Sequence, residues 1–166
     1  MGHGYPVIAM PKFRFSLATP DDELQSLINQ ADHRTLAIWA RDCALRVLPF
    51  FEAQFPDDPR PRQALAALQD WIDTSQFSMS VIRTASLNAH AAAREVGEDN
   101  PARSAARAAG QAVATAHVRT HSPGAAKYAQ QACFRAAPPE EAQISVANER
   151  VWEYNRLKQL IKERQP

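Results

Sequence analysis

The sequence predicts an all-α fold, a single-domain bundle of about seven helices, on three observations. The stretch from 85 to 137 is alanine-rich, and its prolines stand at segment starts. Helix-start signals recur at helix-length intervals: Asp32, Ser78, Asn100 before Pro101 and Ser122 before Pro123. Between them, apolar residues return at three and four positions, which lines one side of a helix.

Residues 1–19 carry two glycines and two prolines without helical periodicity, so they are expected to form an irregular arm, with Met10 as the natural start. The helical domain is expected over 20–166. Pro20 opens DDELQSLINQ, where Asp21, Asp22 and Glu23 suit the positive end of a helix dipole. Asp32 caps a longer helix in which Leu36, Trp39, Ala40, Cys43, Val47, Phe50 and Phe51 share a face. Pro49 cannot donate to the carbonyl of Leu45, which predicts a kink or a restart near that point.

PDDPRPR, residues 56–62, is a loop. From Pro61 a helix sets Leu65, Leu68 and Ile72 on one side with Trp71 at its edge; TSQFS interrupts, and Ser78 caps the run beginning MSVIRTAS. Gly97 suits a left-handed helix end. In the helix after Asn100, Ala102, Ala105, Ala109, Ala112 and Ala116 make a flat apolar face edged by Val113, with Arg103, Ser104, Arg107 and Gln111 across the cylinder. Methyl-sized side chains bury little area each, so this face acts by admitting a neighbouring helix closely, and the helix belongs at the centre. Ser122 with Pro123 starts another helix. The last follows Pro138 and Pro139, with acids first and Lys158, Lys162 and Arg164 last, docking through Val151, Tyr154, Leu157 and Ile161.

With 166 residues, 45% hydrophobic and 22% charged, the chain can bury one substantial core. A net charge of +1 gives no reason to expect nucleic acid or an anionic membrane as the main partner. Cys43 and Cys133 fall in helical apolar patterns without ligand spacing and read as core thiols in a reducing cytoplasm. No run of eighteen apolar residues and no export signal occurs, so a soluble, unexported protein is expected.

No motif for a cofactor, a nucleophile with its base, or a phosphate loop is present, so the residues assign no cofactor and no catalytic group. His117 and His121 are four apart and His90 lies in a neighbouring helix, a spacing that suits either a shared metal ion or packing at helix junctions. Asp57, Asp58, Arg60 and Arg62 form a charged docking loop or a solvated turn. Asp42 borders an apolar face and needs an arginine, Arg46 or one from elsewhere. Arg83 and Arg94 flank His90 as a basic strip able to grip an acidic partner.

DHRTLAIWARDCALRVLPFFEAQFPDDPRPRQALAALQDW, then AHAAAR, then AARAAGQAVATAHVRTHSPGAAKYA, resemble in order the bacterial immunity proteins with an Imm-5-like domain, over about residues 30 to 137. The matching positions are Asp32, His33, Trp39, Asp42, Cys43, Pro49, Arg60, Pro61, Arg62, Trp71, His90, Arg94, Gly110, His117 and His121. The resemblance implies a small helical cytoplasmic protein that neutralises a cognate protein toxin in interbacterial competition, without catalysis. A homodimer through an exposed alanine face is admissible. Two rival functions are a metal-binding bundle or enzyme using His90, His117 and His121, and a regulatory module taking a small molecule or nucleic acid in a helical groove.

Overall fold

The computed structural model describes Phe15 and residues 21–164; the expected arm, Phe15 apart, and Met10 lie outside the described residues. Seven α-helices run among them: α1 Asp22–Gln30, α2 His33–Gln54, α3 Arg60–Thr74, α4 Met79–Glu95, α5 Pro101–Ala114, α6 Ser122–Ala136 and α7 Ala142–Glu163, with a short 3-10 turn, Arg119–His121, before α6. No strand occurs among these residues, and none of the helices is long and apolar enough to cross a membrane.

Local chemistry sets the helix starts. Asp21, Asp32, Ser78 and Asn100 each accept a hydrogen bond from a first-turn amide, those of Leu24, Thr35, Val81 and Arg103. Gly97 follows the end of α4 with a φ of 80°, a left-handed conformation in which a Cβ would be strained. Ser122 behaves otherwise than expected: it is the first residue of α6 rather than its cap, and its hydroxyl donates to the Arg119 carbonyl. The 3-10 turn has already brought the chain into helical geometry, so no side-chain cap is needed there.

α5 occupies the centre, in contact with α2, α3, α4 and α6. The expected alanine face is buried, Ala102, Ala105, Ala109 and Ala112 on α5 and Ala116 just past its end, and burial extends further, to Ser104, Ala106, Ala108 and Gly110. Ser104 therefore does not face solvent. Its hydroxyl donates to Gln131 and accepts from Arg135, both on α6, so a small polar side chain is satisfied inside.

α2 passes through Pro49 as one helix. Pro49 and Leu45 both lie on its exposed side, where solvent reaches the carbonyl that proline leaves without a partner. Phe50 is exposed on that side too, whereas Trp39, Cys43, Val47 and Phe51 fill the interior. His33, at the first position of α2, donates from Nε2 to the Thr115 carbonyl at 2.5 Å, which ties α2 to the end of α5, and its ring packs tilted against that of Trp71.

α7 docks only in part through the expected face: Leu157 is buried, Ile161 packs against the core and Tyr154 is half-buried, but Val151 is not part of it. Val151 is 61% exposed; Ala142, Val146, Glu149, Glu153, Leu157 and Leu160 point inward. Acidic residues are seldom buried unless paired, which is why the pattern reads the other way. Glu149 is held by a bidentate Arg46 guanidinium at 2.9 to 3.2 Å, with Arg46 lying over the Trp152 ring. Trp39 donates to the Glu153 carbonyl, and Gln130 donates to Glu153 Oε2 at 2.7 Å, while Oε1 has no partner among the described residues.

Burial pushes the Glu153 carboxyl well above its ordinary 4.5. The folded chain thus keeps a proton that the unfolded chain releases above about pH 4.5, and stability falls as pH rises beyond that point. Glu153→Gln removes this linkage and keeps an acceptor for Gln130. Urea unfolding is expected to show the variant more stable by about 1–3 kcal/mol at pH 8 and level with the parent near pH 4.

Candidate functional site

Acids are absent between Asp73 and Glu95 and again between Asp99 and Glu140, while the same two stretches carry Arg83, Arg94, Arg103, Arg107, Arg119, Lys127 and Arg135. The fold brings these stretches together as α4, α5 and α6. Of the seven cations, Arg103 and Arg135 reach Asp99, and Arg119 donates to the carbonyls of Ile28 and Ala31 at the end of α1. No carboxylate among the described residues pairs with Arg83, Arg94, Arg107 or Lys127, the last of which lies on α6 away from the other three in sequence.

His90 is the hinge of this surface. Its ring lies over Gly110, where a Cβ would come within 2.7 Å of the imidazole. Arg107 donates to His90 Nδ1 at 3.3 Å. Burial lowers the His90 imidazole to about 4, and the nearby Arg107, Arg94 and His121 push in the same direction. The ring is therefore neutral at neutral pH and acts as an acceptor that fixes a guanidinium. Next to it, His121 donates from Nδ1 to Gln111 Oε1 at 3.0 Å, and that amide fills the space left by Gly124.

His117 and His121 meet α4 at a groove of about 410 Å³, whose rim and floor include Met79, Ile82, Arg83 and Leu87. Phe77 stacks on His117 at 6.0 Å. Phe77, Met79 and Leu87 are each about half exposed. The structure thus gathers His90, Arg94, His117 and His121 on one surface, together with Arg83. Among the described residues no three His, Cys, Asp or Glu side chains converge as metal ligands.

The other expected site residues lie elsewhere, in ion pairs. Arg60 bridges Asp58 at 2.6 Å and Glu95 at 2.5 Å, fastening the proline loop to the end of α4, and this pairing holds the Asp58 carboxyl below its usual range. Arg62 reaches Glu52 on α2, and Asp57 is exposed. Asp42 accepts from Arg41 and from Arg156 at the far end of the chain, because Arg46 is committed to Glu149. Cys43 and Cys133 are free thiols, and burial raises both, Cys133 to about 12.

Sequence reasoning singled out the histidines and two of the arginines but missed Arg107, Met79 and Leu87. The acid-free stretches were the available signal. A direct check is Gly110→Ala: the added methyl displaces the His90 ring outward, and the imidazole is expected to titrate closer to its ordinary 6.5 in an NMR pH series. Stability normally lost as pH falls from about 6.5 toward 4 is then lost less steeply. The helix gains up to about 1 kcal/mol from replacing glycine, which offsets part of the crowding.

A family model described as Imm-5 like putative immunity protein matches residues 26–160. Neither a curated protein nor a solved structure matches the chain.

Proposed function

The chain belongs to the family of Imm-5 like putative immunity proteins, and we propose on that premise that it binds a cognate bacterial toxin in the cytoplasm and neutralises it. The family match carries this reading, since an immunity family implies a toxin partner in general. Neutralisation proceeds by occupation: a rigid helical body covers the toxin's working surface and blocks access without chemistry of its own. An interface of about 1,600 Å² with a few buried anchors suffices for tight inhibition. The close packing around α5 supports the rigidity, and the unpaired cations beside outward apolar side chains on α4 support recognition on the outside.

Co-expression with a toxin encoded beside the gene tests the proposal. Cells carrying both are expected to survive induction of the toxin, and cells carrying the toxin alone to die. Equal killing in the two strains contradicts it.

A further inference from the structure

We propose that the groove between α4 and the His117–His121 segment seats an acidic segment of the partner protein, its apolar anchor resting on Met79 and Leu87 and its flanking carboxylates meeting Arg83, Arg94 and Arg107. This rests on the immunity reading for the identity of the partner, and on the surface itself for the partner's chemistry.

Two properties coincide there. The first is apolar exposure with a place to put an anchor. Single exposed leucines are ordinary. Here Met79 and Leu87, two turns apart on α4, flank a groove floored by Ile82 and Ala114, and Phe77 lies beside it on His117. By contrast Ile144 and Val151 on α7 are exposed without lining this groove.

The second property is one-signed charge. α5 and α6 carry no acid, and in α4 only Glu95, the last residue, is acidic and already holds Arg60. Arg83 stands on the groove rim, and Arg107 and Arg94 continue the strip past His90. Elsewhere Arg60, Arg62, Arg156 and Arg164 have found carboxylates among the described residues, while Arg34 on α2 has not and Arg150 on α7 donates to the Gln130 amide. Leaving three without one beside an apolar groove is the complement of an anchor flanked by acids. The anchor supplies most of the affinity and the cations orient it, since exposed ion pairs contribute little each. A nucleic acid fits less well, because three unpaired cations around an apolar floor give few phosphate contacts.

The full chain is titrated against two fluorescein-labelled helical peptides with leucines at i, i+4 intervals, one flanked by glutamates and one by lysines. Anisotropy is expected to rise with the glutamate peptide only, to weaken with salt, and to weaken at least tenfold in Leu87→Glu and in Arg83→Glu. Val151→Glu, equally exposed on α7, is expected to bind as the parent does, and circular dichroism of all three variants to match it. Equal binding of the lysine peptide, unchanged binding by Leu87→Glu, preferential binding of a DNA duplex, or self-association of the chain through Leu87 overturns the proposal. In the toxin assay, protection by the parent but equally by Leu87→Glu overturns the groove alone. Absence of protection by the parent overturns the immunity reading, and the peptide titration still judges the groove.

Discussion

Ala109→Leu is expected to lower stability by about 3 kcal/mol, the upper part of the usual range for overpacking a well-filled interior. Ala109 is fully buried on α5, and four helices press against that element. A side chain larger by three carbons has no free volume to enter, so a neighbouring helix must retreat and every close contact along it weakens together. The same substitution at Ala53, exposed on α2, is expected to change stability by less than about 0.5 kcal/mol. For a chain of this length the difference appears as a fall in Tm of about 6–12 °C, read by calorimetry.

Arg46→Met is expected to cost about 3 kcal/mol, for an electrostatic reason. Glu149 is only 3% exposed, and the bidentate guanidinium of Arg46 is its partner across the α2–α7 contact. Removing the arginine leaves a buried carboxylate without compensation, a heavier penalty than losing the pair altogether. Adding Glu149→Leu to Arg46→Met is therefore expected to recover most of the loss. A double-mutant cycle by urea unfolding measures the coupling, and additive losses would show that the pair holds α7 less firmly than its geometry implies.

The first variant lies where the sequence was easy to read, and the second where it was not. Small side chains at 102, 105, 109, 112 and 116, opened by Asn100 and Pro101, announce a closely packed central helix, and α5 is that helix. On α7 Leu157 and Ile161 were legible in the sequence, but the acidic part of the inward face was hidden because Glu149 and Glu153 look like solvent residues until their partners, 103 and 23 positions away in the chain, are known. Pro49 left a kink and a restart both open; the helix does not restart there, and only tertiary structure reveals that its turn faces solvent.

The surface was legible in part. A run without acids can be counted in the sequence, and histidines at 90, 117 and 121 can be noticed. That Arg107 reaches across from α5 to His90, over a glycine that leaves room for the ring, depends on helix register. The exposure of Met79 and Leu87 was equally hidden, because their spacing on α4 suits a buried stripe as well as a docking one.

Inhibition by occupation has a stoichiometry, and titrating toxin activity with the purified chain measures it. The account predicts a loss of activity that is linear in added protein and complete at one chain per toxin, with an intact toxin recovered after the complex is dissociated. Complete loss at a small fraction of one equivalent, or a toxin that stays inactive and chemically altered after separation, would contradict it.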